Sequence, residues 1–220
     1  AAAALAAVLV LLLAPALMSA GEALRSKPGA AVPHLPPRVW GHTVLVMVTA
    51  VAVAAALGSL LAAWGVAIRS PLARGAVILA GAFPLAVPMY LHGMAAWQVA
   101  VGLGLYHELT TEGPWRDLVV VGAVQGLRLS ALVFLALLAG WQTLDARWLE
   151  AGLLIAPAGW VRRRILAPLL APFAAFGLLL AAVISATDVS VPLLFQVRSV
   201  AALRLWDAHY RALDPAASWR

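Results

Sequence analysis

The stretch EAGLLIAPAGWVRRRILAPLLAP, residues 150 to 172, separates two runs of almost uncharged sequence. It carries a glutamate, the turn sequence Ala-Pro-Ala-Gly, three successive arginines and two prolines. It is too polar to cross a hydrocarbon core, and its pattern is too regular for a plain linker. The flanking runs decide the fold class. Residues 118 to 141 and 165 to 187 each approach or exceed the roughly 20 apolar residues that a helix needs to cross about 30 Å of lipid. WLEAGLLIA between them can form a short helix at the membrane surface, with Leu149, Leu153 and Leu154 turned toward lipid or bundle. Pro157 and Gly159 then impose a break, since proline stops a helix and glycine admits unusual dihedrals.

Further runs of the same kind lie upstream. Residues 1 to 20 form an apolar stretch, read as an ordinary span because no methionine or basic segment precedes it, as a signal peptide would require. TVLVMVTAVAVAAALGSLLAAWGVAI, residues 43 to 68, is bounded by Arg38 and Arg69. The Pro-rich KPGAAVPHLPPRVWGH before it is not expected to be regular helix. Residues 76 to 105 hold no Asp, Glu, Lys or Arg, and exceed one perpendicular crossing. That excess predicts a tilt, a kink at Pro84 or Pro88, or an interfacial extension. The expectation is therefore an all-α polytopic bundle of about five spans, with 148 to 164 as a loop. Small residues such as Gly58, Gly75 and Gly81 are expected where helices pack closely.

Composition agrees and excludes several alternatives. The chain of 220 residues is 64% hydrophobic, with 15 Lys or Arg against 9 Asp or Glu. Its formal charge of +6 is spread over span ends rather than gathered into the coherent basic footprint that nucleic acid requires. With no cysteine, disulfides, thiol nucleophiles and sulfur-ligated metals are excluded. The histidines at 34, 42, 92, 107 and 209 lack metal-site spacing, and no Ser, His and acid set marks a hydrolase. There is no GxxxxGK[ST] phosphate loop.

The 150 to 172 stretch resembles the EAA loop of permease subunits in binding-protein-dependent ABC transporters. Glu150 and Ala151 match its opening, Trp160 and the arginines its basic middle, and Pro168 and Pro172 its closing region. Gly152 stands where the family has a second alanine, and Ala156 where it has glycine, with Gly159 three residues later. Residues 42 to 97 are similar to the early permease core, and 184 to 213 to the segment after the fifth span of iron, thiamine and polyamine importers. The resemblance covers roughly residues 40 to 210; the family adds a final span that is not seen here.

The resemblance implies an ABC importer permease-like fold with a cytoplasmic coupling helix, in a bacterial or archaeal plasma membrane. It implies partners: ABC ATP-binding subunits that bind ATP and Mg, a second permease subunit, and an extracytoplasmic solute-binding protein. This chain would bind lipid but no cofactor or metal of its own. Glu150, Ala151, Gly152, Ala156, Gly159, Arg162 and Arg163 would form the ATPase-coupling site, with Glu150 at the N-terminus of the short helix. Physically, the same loop suits either docking or an interfacial position.

Three polar residues near span interiors or ends are candidates for the pathway or gate: Arg128, Gln125 and Asp188. An intramembrane arginine is expensive and often functional, yet snorkelling explains it too. Gln125 and Arg128 lie one turn apart and suit a common polar patch. Asp188 suits either a helix cap or a gate. Two other readings compete: a non-transporting helical scaffold or regulatory subunit, and, less favoured, a membrane-embedded enzyme.

Arginine density predicts topology. Residues 142 to 164 and the loop with Arg69 and Arg74 fall on the cytoplasmic side, and residues 25 to 40 fall across the membrane. A single cysteine at position 160 of this cysteine-free chain should react with an impermeant thiol reagent only after intact cells are permeabilised. Reaction before permeabilisation reverses the topology.

Overall fold

In the computed structural model the described residues are 35–102 and 114–213, and their regular structure is entirely helical. The expected first span at 1–20, and residues 103–113 and 214–220, lie outside them. The order is α1 (Pro37–Ala67), α2 (Pro71–Ala86), α3 (Met89–Gly102), α4 (Pro114–Thr143), α5 (Ala146–Ile155), α6 (Ala158–Val161), α7 (Ala167–Thr187), α8 (Ser190–Leu194) and α9 (Ala201–Leu213). A π turn, Arg162–Leu166, joins α6 to α7 without a break. Among the described residues three helices are long and apolar enough to cross a membrane: α1, α4 and the continuous Ala158–Thr187 rod. The pair α2 and α3 makes a fourth if its two halves count as one span. This fits a membrane-embedded protein.

Local chemistry sets the boundaries. Pro37 and Pro71 occupy first-turn positions, where the missing amide has no intrahelical partner to lose. That is why α1 begins at Pro37 and includes Arg38 to His42, which the prolines upstream had argued out of regular helix. Ser70 caps α2 by accepting the Ala73 amide at 3.5 Å, and Asp145 caps α5 by accepting that of Arg147 at 3.0 Å. The expected excess length of 76 to 105 resolves into a bend of 97° between α2 and α3, at Val87–Pro88. Pro84 stays inside α2.

The helix α4 is the centre. Of its most apolar window 61% is buried, against 22% for α1 and for Ala158–Thr187. Leu118, Val121, Leu129, Val133 and Phe134 are all fully covered. Glycines let the backbones meet: a Cβ at Gly58 would lie 2.6 Å from the Ser130 carbonyl oxygen, at Gly122 2.7 Å from that of Val46, and at Gly126 2.6 Å from that of Ala50. Gly81 lies under the Phe134 ring. In lipid, where tails compete equally for apolar surface, such close packing is what holds helices together. Gly75, by contrast, has open space around it, so the expected packing role holds at Gly58 and Gly81 only.

These contacts also fix direction. Gly122 facing Val46 and Gly58 facing Val133 make α1 and α4 parallel; Gly140 on Phe173 and Gly177 on Val133 make α7 antiparallel to α4. Gly81 on Phe134 and Arg128 on Pro84 make α2 antiparallel as well. The connections at 68–70 and 144–157 therefore share one end, with Arg69, Arg74, Arg147 and Arg162 to Arg164. The helix breaks at 87–88 and 188–189 lie away from that end, level with Gln125 and Arg128 in the middle part of α4.

The glycine contacts give a paired test. Gly126→Val should lower the thermal midpoint of the detergent-solubilised chain sharply, by roughly 1–3 kcal/mol or more of overpacking. Gly75→Ala should leave it unchanged or raise it, by up to about 0.5–1 kcal/mol. Equal behaviour of the two variants would contradict the packing.

Candidate functional site

The helical hairpin at the arginine-rich end contains the EAA-like residues. Its first arm, α5, stops at Ala156, whose extended backbone precedes Pro157 and whose amide still bonds to the Gly152 carbonyl at 3.0 Å. Helix resumes at Ala158, so the break is Ala156–Pro157, and Gly159 lies inside α6. Pro168 lacks an N–H and crowds the carbonyl four residues back; the wider π turn directly before it accommodates both effects, with the Ala167 amide bonding to the Arg162 carbonyl.

Side chains on the hairpin sort into two faces. Gly152 turns inward: a Cβ there would lie 2.9 Å from Ile165 Cδ1 and 3.3 Å from Val161 Cγ1. It seats α5 on the second arm and is therefore no docking surface, contrary to its assignment from sequence. Glu150, Ala151, Gly159, Arg162, Arg163 and Arg164 are exposed, and Ala156 is half-buried. Glu150 also departs from expectation in placing: it is the fifth residue of α5, and Asp145 takes the cap. Most of the outward apolar surface comes from Leu153, Leu154 and Ile155, with Leu154 89% and Ile155 86% exposed, and from Trp160 on the second arm. Leu153 and Leu154 thus face away from the bundle; the side chain of Leu149 lies outside the described residues.

A second constellation lies away from that end. Gln125, fully buried on α4, donates through Nε2 to Asp188 Oδ2 at 2.8 Å, and accepts through Oε1 from Ser185 Oγ at 2.6 Å. The carboxylate fixes the amide orientation, since a reversed Gln125 would set its oxygen against Asp188, whereas the hydroxyl could serve either way. Asp188 ends α7 and accepts the amides of Ser190 at 3.1 Å and Val191 at 3.2 Å, capping α8. The cap reading of Asp188 is thus met, and the same carboxylate also belongs to a buried polar chain. Ser185 was not singled out from sequence. Its signal was its place three residues before Asp188, which puts both on one helical face.

Arg128 does not join this group. Although one turn from Gln125, it points to α2 and donates through Nε to the Pro84 carbonyl at 3.3 Å. Among the described residues no carboxylate pairs with it. The common polar patch expected for Gln125 and Arg128 is thus two separate contacts to two different helices. His42, at the same end of α1 as Thr43, has a buried Nδ1 that meets no hydrogen-bond partner among the described residues. Thr43 itself donates to the Val39 carbonyl and accepts the first amide of α9, at Ala201, both at 2.8 Å.

The chain matches no protein-family model and no curated protein sequence. Function therefore rests on the residues. For the buried chain, Gln125→Leu should destabilise by about 1–3 kcal/mol, because it strands two polar partners. Ser185→Ala should cost roughly 1 kcal/mol, the usual net worth of one hydrogen bond. Since the two share a contact, the double variant should lose less than the sum. Thermal midpoints of the three variants in detergent check this, and strict additivity would dissolve the chain into unrelated contacts.

Proposed function

We propose that the chain is the permease subunit of an ATP-driven ABC importer, forming part of the substrate pathway and coupling it to separate ATPase subunits. One observation carries the reading: a short capped helix, α5, presents Leu153, Leu154 and Ile155 outward at the end where the arginines gather. Such a projection between two spans is what an ATPase groove requires, and it coincides with the EAA-like sequence. The arginine-rich end is then cytoplasmic by the positive-inside bias. Nucleotide closure on the ATPase would move α5, and the rod Ala158–Thr187 would carry that displacement toward Asp188. The driving force is differential binding to two packed arrangements.

The revised site keeps Glu150, Ala151, Gly159, Arg162 and Arg163 as surface contacts, adds Leu154 and Ile155, and gives Gly152 and Ala156 the task of shaping the hairpin. A second permease subunit would complete the pathway, and a solute-binding protein would deliver substrate from the opposite side. The substrate pathway would pass near Gln125, Arg128 and Asp188.

Burying a leucine or isoleucine is worth about 1.5–3 kcal/mol. The double change Leu154→Ser with Ile155→Ser should therefore cut recovery of a co-expressed, co-purifying ATPase at least about tenfold, with membrane insertion unaltered. Glu150→Ala should leave the assembly intact but lower substrate-stimulated ATP hydrolysis and transport together after reconstitution. A native complex without any nucleotide-binding subunit would remove the importer reading and leave a membrane scaffold.

A further inference from the structure

The bend between α2 and α3 has a chemical peculiarity. In an unbroken helix the Pro84 carbonyl would accept the amide of residue 88. Residue 88 is proline and has no amide to give. In a low-dielectric interior an unpaired carbonyl is costly. Arg128 supplies the missing donor from α4, through Nε at 3.3 Å. A charged side chain on the central helix thus substitutes for one backbone bond of another helix, at its break.

Beyond the bend, α3 rests on α8. Leu194 and Val191 lie over Gly93, where a Cβ would come within 2.9 Å of Leu194 Cδ2. Trp97 meets Phe195 edge to face, with centroids 5.4 Å apart and planes at 79°. The seat is firmly held. Asp188 takes two α8 amides and bonds to Gln125. After α8, Gln196 adopts a left-handed conformation with φ 57°, and the Val197 amide returns to the Pro192 carbonyl at 2.9 Å, which closes the helix end. The inner face of α3 also packs on α4, with Met89 in the main core and Ala96 and Trp97 against it. The outer face of α3 is open at Tyr90, Met94 and Val99.

We propose that α3 is a hinged flap in the part of the bundle away from the arginine cluster, that α8 is its fixed seat, and that Arg128 is the positioning residue that latches it. Proline supplies the hinge by deleting one backbone bond, and Arg128 sets its angle by replacing that bond. Loss of the Arg128 contact frees the Pro84 carbonyl and lets α3 leave α8. This device stands on the geometry alone and does not depend on the importer reading.

Spin-label distances test it, because the cysteine-free chain accepts labels at chosen positions. In lipid nanodiscs, labels at Leu79 and Val99 report the hinge, labels at Val99 and Leu193 report the seat, and labels at Val48 and Val119 report the bundle. All five positions are exposed. Arg128→Met should broaden and lengthen the hinge and seat distances and leave the bundle distance unchanged. Full straightening would lengthen the hinge distance by about 10 Å, at 1.5 Å per residue on each arm. Pro88→Ala restores the backbone donor, so Arg128→Met added to Pro88→Ala should produce no further change. Unchanged hinge and seat distances in Arg128→Met would overturn the proposal, making Arg128 a snorkelling side chain. So would an added effect of Arg128→Met in the Pro88→Ala background, including loss of the bundle distance there.

Discussion

The contact on which the described structure depends is the approach of two backbones, α1 and α4, across Gly58, Gly122 and Gly126. A side chain at any of the three would collide with a carbonyl oxygen or a Cβ of the facing helix. In water a bundle is gathered by apolar surface; in lipid that force is absent between helices, and contact density takes its place. Once α1 and α4 are joined in parallel, the remaining faces of α4 fix where α2 and α7 lie. Phe134 fills the space above Gly81, and Gly140 and Gly177 admit α7. The centrality of α4 follows from its glycines and from the bulky residues set between them.

Prolines then create a second constraint. Every interior proline removes a donor, and hydrocarbon supplies no water to replace it. The chain answers in different ways. At Pro168 the backbone widens into a π turn; at Pro88 the helix breaks and a guanidinium takes the vacant role. The other break, at Asp188, is covered by its own carboxylate and by Gln125. Both polar side chains reach out from α4, one turn apart, Arg128 to a backbone carbonyl of α2 and Gln125 to the side chains that end α7. This gives a physical account of why a polar glutamine and a charged arginine sit within a span.

The hairpin at the other end obeys local rules. Asp145 starts α5, Pro157 resets the chain, and Gly152 allows the first arm to lie against Val161 and Ile165. Because the small residue is spent on this internal contact, the large residues Leu154 and Ile155 are left outward. An exposed apolar face beside arginines is an unstable arrangement in water and a useful one at a partner surface or a headgroup layer. The proposed docking role draws on that imbalance together with the EAA-like sequence.

Sequence alone determined the helical class and, among the described residues, where the three long apolar helices run, since charge-free runs of sufficient length have few other solutions in lipid. For the run too long for one crossing it offered a tilt, a kink at Pro84 or Pro88, or an interfacial extension, and the packed helices decided for a bend at Val87–Pro88. Gln125, Asp188 and Arg128 stood out as polar residues in apolar surroundings. What it did not decide was partnership. Helical spacing placed Gln125 beside Arg128, but side chains one turn apart diverge enough to reach different neighbours, and tertiary packing sent one to Asp188 and the other to Pro84. Likewise a glycine in a string of letters does not say whether it faces a neighbour or open space: Gly58 and Gly152 meet other helices, whereas Gly75 and Gly159 meet nothing. Capping went to Asp145 rather than Glu150 because the first turn forms where a short acceptor side chain reaches a free amide. Those assignments depend on which faces meet, a non-local property that only the packed helices possess.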